Sequence, residues 1–264
     1  MAARSGRILL LAAFTGLALV AALAVRSRLE RDHRRTMAAA SAADSAFADS
    51  VLRAAEDMGV TVTVRASTLP PPVRDAARIT DLLSYRLAPT YLGSILAARD
   101  SALYRWPERR VEPVSVWIQA PELPGFDAMF QGVVQGAFRE WFETGVPVEF
   151  RFIFDSARAD VHVTWVDRYE SRTSGRTRWA RDEHGWILGG GIELALHQPD
   201  GRALESRAVR AIALHEVGHL LGLDHSPDQR DIMAADVRVS ELSEADHLTV
   251  RLLYDLPPGS LRTP

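Results

Sequence analysis

His215-Glu216-Val217-Gly218-His219-Leu220-Leu221-Gly222-Leu223-Asp224-His225 has the form H-E-x-x-H-x-x-G-x-x-H. Residues four apart share one face of a helix, so His215 and His219 present two imidazoles to one point. Glu216 stands beside them, within reach of a water that a metal there would activate. Gly222 can take the left-handed conformation that ends a helix. The chain can then turn and bring His225 back as a third donor. Three neutral imidazoles leave one tetrahedral position open, which is the layout of a catalytic zinc site rather than a closed structural one. An amphipathic core helix with incidental histidines is the alternative. Five fixed residue types at this spacing arise by chance with a probability on the order of 10⁻⁵ in a chain of ordinary composition, and that decides for zinc. Ala208, Ala211, Ile212 and Leu214 before the motif, with Leu220 and Leu221, supply the apolar surface of a buried helix.

These residues resemble the zinc motif of the metzincin metallopeptidases, and His225-Ser226 with the later Met233 narrows the resemblance to the matrixins. The resemblance covers about Val111 to Leu256. It implies an α+β catalytic domain with a mixed twisted sheet and three helices. It also implies a methionine turn at Asp231-Ile232-Met233 beneath the metal. One catalytic Zn2+ is expected on His215, His219 and His225, with Glu216 as general base. The activity implied is that of a zinc-dependent endopeptidase hydrolysing peptide bonds, with a peptide or protein as substrate. A membrane-attached zinc-binding scaffold without turnover is the rival reading, and retention of Glu216 argues against it. Asp224 lies between two ligand candidates, and no role for it follows from the sequence.

A formal net charge of -3 gives no case for a nucleic-acid partner. The absence of cysteine excludes disulfides, thiolate metal sites and a cysteine nucleophile. It also excludes the cysteine-containing inhibitory propeptide of many matrixins. Ile8 to Val25 carries no charged residue and follows Arg4 and Arg7. It reads as a membrane helix, or as a signal peptide if Ala22-Leu23-Ala24 is a cleavage site. Arg26, Arg28, Arg31, Arg34 and Arg35 follow the apolar run, and the positive-inside rule alone favours a cytoplasmic C-terminal side. The resemblance to exported metzincins implies the opposite. The expectation is a membrane-anchored protein with an extracytoplasmic catalytic domain, or a secreted one if the N-terminal segment is cleaved.

Four segments follow: 1–26 as signal anchor or signal peptide, 27–106 as a mainly helical stalk or extension, 107–256 as the matrixin-like domain, and 257–264 as a tail. Met37 to Met58 reads as a helix, and Val60 to Val64 alternates as a short strand. Arg78 to Leu103 reads as mostly helical with an interruption near Pro89. The extension reads as a structural spacer rather than a propeptide, because it carries no ligand-bearing switch motif. Val114–Ile118, Val148–Phe154 and Asp160–Val166 read as strands, and Phe130 to Phe142 as a packing helix stopped by Gly145. Gly175–Arg181 and Trp186–Leu196 form a hairpin around Asp182-Glu183-His184-Gly185. By resemblance the first of these strands is the sheet edge above the zinc cleft, where unpaired backbone groups can pair with an extended peptide.

His162, Asp167, His184 and His197 do not match the ligand spacing of the second, structural zinc of matrixins, and none is expected. The motif helix begins near Arg202 to Ser206. Ser243 to Asp246 has capping-box form and opens a last helix through Leu248, Leu252 and Leu253. By resemblance Asp246 bonds to the methionine turn. Ala245 stands where matrixins usually carry a further acid. Ala234 and Ala235 stand where they commonly carry a proline and then a tyrosine, so the family's pocket preference does not carry over.

Overall fold

The computed structural model describes residues 61–65, 69–170 and 173–262, with the backbone alone for 61–65. The apolar run Ile8–Val25 and the helix expected at Met37–Met58 lie outside these residues. Among the described residues no helix is long and apolar enough to cross a membrane.

Alternating side chains make the strands. In β5 (Val161–Val166), Val161, Val163 and Trp165 are buried while their neighbours are half-exposed. The same logic, with β-branched and aromatic residues, gives β3 (Arg109–Ile118), β4 (Val148–Phe152), β6 (Gly175–Asp182) and β7 (Ile187–Ala195). With β1 (Thr61–Arg65) they form a six-stranded sheet in the order β1-β6-β7-β5-β3-β4. Only β6 and β7 run antiparallel; the other neighbours are parallel. The hairpin turn is built by Asp182, whose Oδ1 accepts from the amides of His184 and Trp186.

The edge differs from expectation. Strand β6 is interior, because β1 pairs with it from Thr61↔Arg178 to Arg65↔Asp182. The alternation in 60–64 marks a strand, but strand pairing uses backbone groups and leaves no sequence trace of the partner. Among the described residues this pairing stops at Arg178, so Gly175 to Thr177 has no strand on its outer side.

Helix α1 (Ala76–Arg86) and α2 (Leu92–Ala98) lie in the described part of the extension. Helicity ends sooner than the sequence suggests, because Asp100 and Ser101 take positive φ. Ala102–Leu103 is then a strand, β2, paired antiparallel with β8 (Gly259–Ser260) from the tail. Residues 91–106 lie ahead of the boundary placed at Trp106-Pro107, yet Tyr91, Leu92, Ile95, Leu103, Tyr104 and Trp106 join the same core as the sheet.

Helix α3 (Met129–Glu143) turns Phe130, Val134, Ala137, Phe138 and Trp141 inward, and Gly145 ends it at φ 94°. Phe138 meets Phe150 and Phe152 of β4 edge-on. Helix α4 (Ser206–Leu220) is buried without a break from Ala213 to Leu220. Two buried indoles seat it: Trp141 donates to the Leu214 carbonyl at 2.8 Å and Trp106 to the Leu220 carbonyl at 2.9 Å. Truncating a buried aromatic typically costs about 3–5 kcal/mol, against about 1 kcal/mol for a hydrogen bond. The rings therefore supply the energy, and the N–H groups fix the helix along its axis. Helix α5 (Glu244–Asp255) opens on the expected capping box, with Ser243 and Asp246 bonding reciprocally.

Candidate metal centre

His215 and His219 stand one turn apart on α4, as their spacing requires. The helix ends in a Schellman arrangement: the Leu223 amide donates to Gly218 O and the Gly222 amide to His219 O. Gly222 has φ 100°, and a Cβ there would lie 1.9 Å from the Tyr104 carbonyl. Both conformation and space demand glycine at this turn, which returns His225 to the other two rings. The ligand-capable atoms of His215, His219 and His225 all lie within 4.8 Å of one another. Among the described residues they are the single group of three or more histidines and acids placed to hold a metal. His162, Asp167, His184 and His197 do not converge; the His162 ring bonds to the Ser156 carbonyl and His197 faces Asp167.

The donor chemistry fits a cation. His215 Nδ1 meets the Ile232 carbonyl at 2.8 Å and His219 Nδ1 the Leu223 carbonyl at 3.1 Å. A carbonyl only accepts, so both rings carry their proton on Nδ1 and leave a lone pair on Nε2. These two Nε2 atoms face each other at 3.0 Å. Two lone pairs at that distance repel unless a cation lies among them. Tetrahedral zinc with bonds of about 2.0–2.1 Å would set such nitrogens roughly 3.3 Å apart. Burial holds the His215 imidazolium down to about 4, opposed by the Ile232 carbonyl. Burial likewise lowers His219 and His225, the first helped by the two neighbouring rings. All three are neutral near pH 7, the form that binds metal.

Glu216 is buried beside the triad. The Thr177 hydroxyl of β6 lies 2.7 Å from its Oε2 and 2.9 Å from its carbonyl oxygen. A Cβ at Gly175 would stand 2.6 Å from its Oε1, so this bare stretch of β6 is what admits the carboxyl. Burial pushes Glu216 up to about 8, while Thr177 and the Arg176 charge pull it back. A cation held by the three rings would lower it further and favour the carboxylate form that a base requires.

The methionine loop is closed by the Ser226 amide donating to the Met233 carbonyl at 2.8 Å. Asp246 Oδ2 accepts from the Ile232 amide at 2.9 Å, and its Oδ1 accepts from the Tyr91 hydroxyl at 3.0 Å. The backbone of Ile232 thus links Asp246 to His215, through its amide on one side and its carbonyl on the other. Met233 is fully buried, with its sulfur against Gly218, between the two helical histidines.

Gly218 is a residue whose role the sequence hid. Glycine inside a helix costs about 1 kcal/mol relative to alanine, and a packing reason offsets that cost here. A Cβ at Gly218 would lie 2.2 Å from the Met233 sulfur and 3.0 Å from the Trp141 ring. Gly218→Ala is therefore expected to destabilise the chain by about 1–3 kcal/mol in urea unfolding. Gly132→Ala, on α3 with nothing within 4 Å of the new carbon, is expected to stabilise it by up to about 1 kcal/mol. The same sign for both would show that Met233 yields without strain.

Residues 126–255 match the matrixin family model. A Glycine max protein, Metalloendoproteinase 1, is 26% identical over 160 residues, or 53% of this chain and 50% of that protein. The chain thus spans about half the length of that curated relative. Together with the three converging histidines, the buried glutamate and the closed methionine loop, these matches support a matrixin-like metzincin over residues 126–255.

Proposed function

We propose that this protein is a zinc-dependent endopeptidase that uses His215, His219 and His225 as metal ligands and Glu216 as general base. The observation that carries this reading is the facing pair of unprotonated Nε2 atoms on neutral, buried rings, with a carboxyl next to them. Zinc on these imidazoles would acidify a water to a pKa of about 7 and polarise the scissile carbonyl. Glu216 takes the proton from the attacking water on a carboxylate oxygen and returns it to the leaving amine. Thr177 holds that carboxylate through Oε2, so the base has a fixed aim rather than free rotation. The Nδ1 bonds to Ile232 and Leu223 orient two ligand rings before any metal arrives. The substrate is a peptide or protein, and Gly175 to Thr177 beside Glu216, which has no strand on its outer side among the described residues, is the stretch of β6 it would pair with.

Nothing in the geometry favours the zinc scaffold, which has no use for a buried carboxyl aimed beside the rings. Purified protein incubated with a peptide library is expected to cleave internal bonds, to stop on adding a chelator and to resume on adding zinc. Intact peptides throughout, with zinc bound, would leave the scaffold standing.

We infer from the apolar run Ile8–Val25 a membrane-anchored protein, or a secreted one if that segment is cleaved, and from the family an extracytoplasmic catalytic domain. Protease added on the extracytoplasmic side should digest the catalytic part. Protection until the membrane is dissolved would reverse the orientation.

A further inference from the structure

The turn that delivers His225 leaves four successive carbonyls pointing away from any helix partner, at Leu220, Leu221, Gly222 and Leu223. Each is met by a side chain. Trp106 reaches Leu220 O and Tyr254 reaches Leu221 O at 3.1 Å. Arg99 takes the next two, with Nη1 at 2.9 Å from Gly222 O and Nη2 at 3.3 Å from Leu223 O. Its Nε lies 3.2 Å from Asp224 Oδ2. Asp224 Oδ1 in turn accepts the His225 amide at 2.7 Å. Leu223 O is also the acceptor for His219 Nδ1. One guanidinium therefore touches the carbonyl that orients the second histidine and the carboxylate that holds the amide of the third.

Arg99 is 5% exposed and Asp224 3%. A planar fork of five donors can satisfy two carbonyls and a carboxylate at once, where an ammonium on a flexible stem cannot hold all three in one plane. The contact also crosses the chain: Arg99 belongs to the segment before β2, outside the 126–255 match. We propose that Arg99, acting through Asp224, is a positioning residue that preforms the metal centre by clamping the turn between His219 and His225. This rests on the reading of the three histidines as metal ligands. It gives the extension a part in the centre and gives Asp224 its role.

The test uses the full chain and measures zinc affinity by competition with a chromogenic chelator, alongside the absorption spectrum of the cobalt(II)-substituted protein. Arg99→Met keeps the length and removes every donor. Losing a partner that supports a ligand typically costs about 10–100-fold in metal affinity, and that loss with an altered cobalt spectrum is expected. Arg99→Lys should fall between Arg99→Met and wild type. Arg99→Met leaves Asp224 buried without its cation, so the metal-free protein should also melt earlier. Adding Asp224→Leu removes that orphan charge and should recover melting temperature without recovering zinc affinity. Wild-type affinity in Arg99→Met would overturn the proposal, and so would wild-type affinity in the double variant, since the effect would then be that of a stranded charge. If Arg99→Met does not fold, Arg99→Lys decides alone, and unchanged affinity there overturns it. Failure of the wild-type chain to bind zinc would instead strike the reading of the histidines.

Discussion

Glu216→Gln is expected to keep its zinc and lose peptide cleavage by about 10²- to 10⁴-fold, the usual contribution of a general base. The amide fills the same space between β6 and α4, and its oxygen can still accept the Thr177 hydroxyl that lies 2.7 Å from Oε2. None of the three imidazoles depends on Glu216 for a hydrogen bond: His215 leans on Ile232 and His219 on Leu223. What disappears is the site that takes up and returns a proton. Zinc content by elemental analysis and cleavage rate on one peptide, measured on the same preparation, check both halves. Near wild-type cleavage would remove Glu216 from the mechanism. Loss of zinc would mean that the carboxyl supports the centre itself.

His219→Ala is expected to lose the metal and with it all measurable cleavage. The substitution removes one of three donors, so affinity should fall by more than the about 10–100-fold typical of losing a supporting partner. It also strands the Leu223 carbonyl, whose other contact, Arg99 Nη2, is at 3.3 Å. The variant should therefore show lower thermal stability even without metal, unlike Glu216→Gln. Zinc content near wild type would mean that His219 is not a ligand.

What could be read in the sequence is what chemistry forces into a fixed local spacing. Two imidazoles on one helix face need a spacing of four residues, and the return of a third needs a glycine that tolerates a φ of 100°. The capping box at Ser243 and Asp246 and the hairpin turn at Asp182 are equally local, and the structure has both. Partners that meet across the fold left no such mark. Thr177 is 39 residues from Glu216, Arg99 is 125 from Asp224 and Tyr91 is 155 from Asp246. Nothing near any of these pairs announces the other. The β6 edge was misplaced for the same reason: β1 was legible as a strand, but its neighbour was not. Gly218 looked like a variable position inside the motif, and its need for bare space comes from Met233 and Trp141, brought there by other elements.

His215, His219 and His225 are expected to hold one zinc ion beside Glu216. Anomalous diffraction at the zinc edge from crystals of the wild-type protein tests it directly. A single strong peak is expected about 2.0–2.1 Å from one ring nitrogen of each of the three histidines. No peak there, or a peak lodged instead between His197 and Asp167, would contradict it.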